Sequence, residues 1–113
     1  MATFSRGDVV KVPFPYTDQA ARQWRPALVV SAPGLEDDHG LLWVLMITSA
    51  ANRGWPGDVE IRPLAAAGLP VPSVVRTAKI ATIEGGHARR IGRASTATLA
   101  KVMGRVSSIL GAQ

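Results

Sequence analysis

The stretch Trp24-Arg25-Pro26 stands directly before the apolar run of residues 27–31 and places a cation at the mouth of a predicted strand. Pro26 fixes its own φ and biases Arg25 towards extended backbone, so the guanidinium extends from a defined position. A guanidinium is planar and always charged, and it can donate two parallel hydrogen bonds to a phosphate or a carboxylate. Arg25 is therefore either a phosphate ligand or one half of a surface ion pair with Asp18 or another loop acid.

Aromatic side chains lie close to this position and in a second polar loop. Trp24 either stacks on a nucleobase or packs as a loop anchor, and Trp55, in the loop of residues 52–57, has the same two interpretations. Trp43 lies inside a long apolar run and is predicted to be part of the core.

The composition limits the classes of site that the chain can build. There is no cysteine, and His39 and His87 are far apart, so neither a metal site nor a cofactor is predicted. Residues 1–11 carry charges and lack the apolar segment of a signal peptide, and the longest apolar run, residues 41–47, is too short to span a bilayer. The 113 residues predict a single domain (1–113) of a soluble, cytoplasmic protein without a membrane partner.

The net charge gives the first indication of a partner. Thirteen Lys and Arg residues against eight Asp and Glu residues give +5, and ten of the thirteen are arginine. Such a balance favours a polyanionic partner, either nucleic acid or an acidic protein segment. The alternative is a basic surface that is simply solvated.

Strand patterns dominate the first 85 residues and predict a small, strongly curved antiparallel sheet or barrel. Pro13 and Pro15 are predicted to end the first strand, residues 33–40 to form a connection, and residues 63–68 to form one helical turn. The predicted strands are residues 8–12, 27–31, 41–49 and 58–62, then 73–76 and 79–83 as two segments or one bent strand, and a short edge strand at Ile91-Gly92.

The C-terminal segment has the period of an amphipathic helix. Ser95 is a candidate N-cap and Gly111 a candidate C-terminal stop. The apolar positions that form one face are Leu99, Val102, Met103, Val106, Ile109 and Leu110.

Five segments, in order, resemble the MazF/PemK family of toxins from bacterial toxin–antitoxin systems. They are GDVVKVPFPYTD (residues 7–18), RPALVVS (25–31), MITS (46–49), DVEI (58–61) and PSVVRTAKIATIE (72–84), followed by the C-terminal helix. The resemblance implies a small SH3-like barrel of the MazF/CcdB type that is mainly β with a C-terminal helix. It also implies a homodimer with metal-independent endoribonuclease activity on single-stranded RNA, and a cognate MazE-like antitoxin with an acidic, disordered tail.

Carried over by position, the resemblance implies that Arg25 and Thr48 are the catalytic residues. The residues predicted to bind RNA lie in the first loop, at the end of the third strand, in the second loop and on the fifth strand: Thr17, Asp18, Gln19, Trp24, Ser49, Arg53, Arg76 and Lys79. Two departures from the family pattern affect this carry-over. Gln19 and Ala20 stand where many members have serine and glutamate, and Ala78-Lys79 stands where many have an acidic residue followed by glutamine.

The chemistry that the resemblance implies needs few protein groups. RNA carries its own nucleophile, the 2′-OH, so an enzyme has to place the phosphate, move two protons and stabilise the added charge. Arg25 suits charge stabilisation, whereas a guanidinium holds its proton too tightly to be an effective proton shuttle. The alternatives are a non-catalytic barrel that binds antitoxin or DNA gyrase, and a plain nucleic-acid-binding module. A gyrase poison would rely on an exposed apolar or aromatic helix end, which the terminal Ile-Leu-Gly-Ala-Gln does not offer.

Overall fold

Six antiparallel strands form one curled sheet, and the longest helix closes the chain. The computed structural model describes residues 2–14 and 23–111. The strands are β1 (Asp8–Phe14), β2 (Gln23–Val29), β3 (Leu41–Ser49), β4 (Val59–Glu60), β5 (Ser73–Glu84) and β6 (Arg89–Arg93), and the helices are α1 (Pro33–His39), α2 (Leu64–Ala67) and α3 (Thr96–Leu110). The order in the sheet is β4-β5-β3-β2-β1-β6. This architecture confirms the predicted fold class, a mainly β, strongly curved antiparallel sheet with a C-terminal helix.

Each face of the sheet buries its own apolar cluster, because successive side chains of a strand point to opposite faces. One cluster packs Leu28, Leu45 and Val75 against Val102 of α3. The other joins alternate residues of the central strands, among them Val12 and Ala27, beneath Phe4 and Ile83; its other strand members are Val10, Val29, Leu42, Val44 and Met46. The central strands are therefore buried on both faces, and polar groups can collect only at strand ends and in loops.

Helix α3 confirms the predicted amphipathic helix and its caps. The Ser95 hydroxyl accepts a hydrogen bond from the N–H of Thr98, and Gly111 takes a left-handed conformation with φ of 74°. Leu99, Val102, Met103 and Val106 pack on the sheet as predicted. Ile109 and Leu110, predicted to share this face, are instead 61% and 72% exposed, because the last turn of a helix about 22 Å long reaches past the cluster.

The first two strands extend further than the sequence predicts. β1 continues through Pro13 to Phe14, although Pro13 was predicted to end it. Its pairing with β6 stops at Lys11, so the proline faces no β6 partner and its missing N–H costs nothing there. β2 begins four residues before the predicted start at Ala27, because residues 23–26 pair with β1, and it ends at Val29, two residues before the predicted end at Ser31.

Three further differences concern α1, β4 and Trp43. Residues 33–39, predicted to be a connection, form a helix that Gly40 closes with φ of 67°, and β4 is limited to two residues of the predicted five. Trp43, predicted to be core, is 46% exposed. It lies on the α3-facing side of β3 but beyond the part that α3 covers, and with Ile80 and Leu110 it lines an open apolar groove of about 350 Å³.

The remaining predicted elements are present. The predicted helical turn is α2, and the predicted edge strand is β6. Residues 73–84 form a single bent strand, β5, rather than two segments, and its register shifts opposite Leu45 and Met46. None of the helices within residues 2–14 and 23–111 is long and apolar enough to cross a membrane.

Candidate active site

Arg25 and Thr48 take matching places on neighbouring strands. β2 and β3 pair through Ala27 with Met46, Leu28 with Leu45 and Val29 with Val44. Continuing this register by two residues puts Arg25 opposite Thr48, on the same face of the sheet as Ala27 and Met46. The two predicted catalytic residues are therefore brought to one face at one end of the strand pair.

Pro26 explains why the pairing of β2 and β3 stops just before this position. The N–H of Val30 donates to the carbonyl of Trp43, so by the two-residue alternation of a strand the nitrogen of Pro26 also faces β3. That nitrogen carries no hydrogen, so the carbonyl of Ile47, its partner in the register, receives no ladder hydrogen bond from it. The strand ladder is thus interrupted between the core and the Arg25–Thr48 pair.

The side chain of Arg25 is half-buried and contacts a neighbour on its own strand. Its guanidinium donates a hydrogen bond of 3.0 Å to the amide oxygen of Gln23. The alternative partner, Asp18, lies outside the described residues, as do Thr17 and Gln19 of the predicted RNA-binding set. Both interpretations of Arg25, as a phosphate ligand and as an ion-pair partner of Asp18, therefore stay predictions.

The hydroxyl of Thr48 accepts a hydrogen bond from a residue that the sequence analysis did not identify. The side-chain amide of Asn52 donates to Thr48 Oγ1 over 3.2 Å. Ser49, predicted to bind RNA, caps the 3₁₀ turn Ala50–Asn52, its hydroxyl accepting from the N–H of Ala51 at 3.2 Å. Ser49 thus fixes the start of the turn that carries Asn52.

Arg76 is held in the fold by the loop that follows β3. Its guanidinium donates to both carboxylate oxygens of Asp58, at 3.3 and 3.1 Å, and to the main-chain carbonyl of Asn52 at 2.6 Å. The side chains of Arg76 and Asp58 are only 12% and 8% exposed. The guanidinium also stacks over the ring of Trp55, 4.3 Å from its centroid. These contacts engage Nε and Nη2 of Arg76 within the fold, and an RNA contact for this residue stays a prediction.

The other predicted RNA-binding residues in the described part of the chain are exposed. Arg53 is exposed and forms a long ion pair of 3.9 Å with Glu60. Lys79 is exposed, in the stretch of β5 where the register with β3 shifts. Trp24 is 50% exposed, and the guanidinium of Arg89 lies over its ring at 5.4 Å.

Trp24 and Arg89, with His87, line a surface depression of about 440 Å³. The exposed ring favours the stacking interpretation of Trp24 over a packed loop anchor. Because Trp24 precedes Arg25 on the strand, its side chain starts from the opposite face of β2.

Sequence reasoning missed three residues of this site: Gln23, Asn52 and Asp58. Asn52 is the only asparagine in the chain and follows Thr48 by four residues, which is a weak signal within a loop. Gln23 and Arg25 are two apart, the spacing at which side chains of one strand share a face. For Asp58, 18 residues from Arg76, the sequence carries no signal of the pairing.

The chain matches one protein family over most of its length. Residues 5–110 match the family described as PemK-like, MazF-like toxin of type II toxin-antitoxin system. No curated protein sequence matches significantly.

Similar solved structures cover nearly the whole chain. MazF from Deinococcus radiodurans is 29% identical with a TM-score of 0.76, over 96% of each chain. A MazE-MazF complex from the same organism is 26% identical with a TM-score of 0.76, over 97% of each chain. An endoribonuclease bound to its cognate antitoxin, from Mycobacterial species, is 20% identical with a TM-score of 0.76, over 100% of this chain and 98% of the other, and supports the fold alone.

Proposed function

Because the chain belongs to the PemK-like, MazF-like toxins of type II toxin–antitoxin systems, we propose that it is an endoribonuclease that cleaves single-stranded RNA at a short sequence. The observation that carries this proposal is the matching register of Arg25 and Thr48 at the interrupted end of the β2–β3 ladder. A cation and a hydroxyl on one face there can hold the two non-bridging oxygens of a single phosphate.

The reaction that suits these groups is attack of a ribose 2′-OH on the adjacent phosphorus. A bond forms between O2′ and phosphorus as the 2′-OH loses its proton, and the bond from phosphorus to the 5′-oxygen of the next nucleotide breaks as that oxygen gains a proton. The products are a 2′,3′-cyclic phosphate and a 5′-OH end, so no water or metal-bound nucleophile takes part. Arg25 stabilises the negative charge that grows on the phosphate oxygens, and the Thr48 hydroxyl donates a hydrogen bond to one of them.

The surface around this pair supplies binding rather than chemistry in the proposal. Arg53 and Lys79 approach the backbone phosphates, and Trp24 offers an exposed ring on which a base can stack. Thr17, Asp18, Gln19 and Ser49 complete the predicted RNA contacts.

An antitoxin is the second proposed partner. MazF from Deinococcus radiodurans forms complexes with MazE. We expect the acidic, disordered tail of a cognate antitoxin to compete with RNA for the basic surface around Arg25, since its carboxylates match the same donors.

The proposed active unit is a homodimer. The apolar groove of Trp43, Ile80 and Leu110 supports this, because three large apolar side chains are about half or more exposed on one surface of the single chain.

Cleavage of a long single-stranded RNA in EDTA, with the new ends mapped, tests the function. Wild type is expected to cut at a recurring short sequence and leave cyclic phosphate ends, and Arg25→Ala to lose about a hundred- to a thousandfold in kcat. Arg105→Ala is the matched control, because it removes the same charge from an exposed position on α3. If wild type does not cut, the ribonuclease proposal fails and the chain is a non-catalytic binder. If Arg25→Ala cuts as fast as wild type, Arg25 does not carry the reaction and the proposed site is wrong.

A further inference from the structure

We propose that Asn52 is a positioning residue of the active site, which directs the hydroxyl hydrogen of Thr48 towards the substrate. This inference rests on the proposed ribonuclease function and adds a residue to its machinery. The observation behind it is the 3.2 Å hydrogen bond from the Asn52 side-chain amide to Thr48 Oγ1.

The direction of this hydrogen bond decides what Thr48 can do. A threonine hydroxyl has one hydrogen to donate and lone pairs with which to accept. Because the Asn52 amide donates into the hydroxyl oxygen, the hydrogen of Thr48 is left for another acceptor. A phosphate oxygen placed between Thr48 and Arg25 is such an acceptor, and a hydroxyl that already accepts a hydrogen bond is polarised towards donating one.

Asn52 can hold the hydroxyl only if its own main chain is fixed, and three contacts do this. Ser49 caps the turn that ends at Asn52, and the main-chain carbonyl of Asn52 accepts the 2.6 Å hydrogen bond from Arg76. Arg76 is in turn held by the nearly buried carboxylate of Asp58. A continuous set of hydrogen bonds therefore joins the Asp58–Arg76 ion pair to the hydroxyl of Thr48.

A different role for Asn52 is possible on chemistry alone, since its exposed amide could bind a base of the RNA directly. The two roles predict different kinetics. If Asn52 acts through Thr48, its mutation changes the rate of the chemical step and has no effect once the Thr48 hydroxyl is removed. If Asn52 binds a base, its mutation changes RNA affinity whether or not the hydroxyl is present.

The test is a double-mutant cycle of Asn52→Ala and Thr48→Ala, measured on an RNA that carries the mapped cut site. Asn52→Ala is expected to lower kcat about tenfold, the loss that corresponds to one hydrogen bond. Its dissociation constant for the same RNA with a 2′-deoxy nucleotide at the cut site should stay within about twofold of wild type. In the Thr48→Ala background, Asn52→Ala should change kcat by less than about twofold.

Two further variants separate hydrogen bonding from loop stability. Asn52→Asp keeps the shape but cannot donate, and its carboxylate would accept the Thr48 hydrogen itself, so its kcat should fall below that of Asn52→Ala at neutral pH. Ala51→Gly loosens the same exposed turn but keeps the Asn52 side chain, so its kcat should fall by less than that of Asn52→Ala.

The outcomes distinguish failure of the inference from failure of the function. If wild type and the Ala51→Gly control cut RNA while Asn52→Ala cuts equally fast, or if Asn52→Ala weakens RNA binding and its effect multiplies with that of Thr48→Ala, Asn52 is not a positioning residue. If wild type itself shows no turnover, the proposed function fails and the inference fails with it.

Discussion

Replacement of Arg76 by alanine tests whether burial or distance decides the strength of an ion pair in this protein. Arg76 pairs with Asp58 at 3.1 Å, and the two side chains are 12% and 8% exposed. Arg62 pairs with Glu60 at the shorter distance of 2.6 Å, but its side chain is 81% exposed. If distance decided the energy, loss of the Arg62 pair would be the more costly change.

Because the Asp58 carboxylate is buried, we expect loss of the Arg76 pair to be the more costly change. Loss of one partner from a buried pair costs about 3–5 kcal/mol, because the remaining charge is left without compensation. The N–H groups of Gly54 and Trp55 still donate to this carboxylate at 3.4 and 3.3 Å, so we take the lower end, about 3 kcal/mol. An exposed pair such as that of Arg62 contributes about 0.2–1 kcal/mol.

Thermal unfolding followed by circular dichroism measures the difference. For a domain of this size, 1 kcal/mol corresponds to a change of about 4 °C in Tm. Arg76→Ala should therefore lower Tm by about 12 °C, and Arg62→Ala by no more than about 4 °C. The double variant Asp58→Ala, Arg76→Ala should lose clearly less than the two single changes together, because neither charge is then left unpaired.

Equal Tm values for the two arginine variants would refute this reasoning, as would additive losses in the double variant. Arg76→Ala should also reduce cleavage at temperatures well below its Tm, because the carbonyl of Asn52 loses its 2.6 Å hydrogen bond. Full activity in a destabilised Arg76→Ala variant would show that the loop does not need this anchor.

Two other changes test the shape of the site and the proposed dimer. Pro26→Ala supplies the missing N–H opposite Ile47. The new hydrogen bond would stabilise the fold by about 0.5–1.5 kcal/mol, and the more flexible unfolded chain would destabilise it by about 0.4–1 kcal/mol. Tm should therefore stay within a few degrees of wild type, while cleavage should fall. Unchanged cleavage with a protected amide at position 26 in hydrogen exchange would contradict this. By light scattering, wild type should have twice the chain mass and the Trp43→Glu variant the mass of a monomer. A monomeric wild type or a dimeric Trp43→Glu variant would show that the groove is not part of the dimer interface.

Elements with complete local signals were predictable from the sequence. α3 carries its apolar stripe, its N-cap at Ser95 and its stop at Gly111 within one segment, and β3 is a single apolar run with the predicted bounds. α1 has a proline at its start and Gly40 at its end. It buries no residue, so its sequence lacks the apolar period that would have predicted a helix.

Elements that depend on pairing between distant segments were not predictable in the same way. The start of β2 is set by β1, where Val12 lies opposite Arg25, and no local pattern in residues 23–26 specifies this. Trp43 has the type and neighbours of a core residue, and its exposure follows only from how far α3 extends over the sheet. The pairing of Arg76 with Asp58 was not predicted, because the two residues are 18 positions apart and meet only in the fold.

The same limit applies to the net charge as a guide to the RNA-binding surface. The carboxylate of Asp8, 3% exposed, pairs with both Arg90 and Arg93, at 2.9 and 2.8 Å, and Asp58 pairs with Arg76. Three of the nine arginines in the described part of the chain thus complete buried carboxylates, which would otherwise destabilise the fold. Among the described arginines, the position of Arg25 is distinctive because the strand ladder stops beside it, at a proline that cannot continue it. That interrupted ladder, at the edge of a rigid core, is why we expect the phosphate at Arg25 rather than at the arginines that complete buried carboxylates.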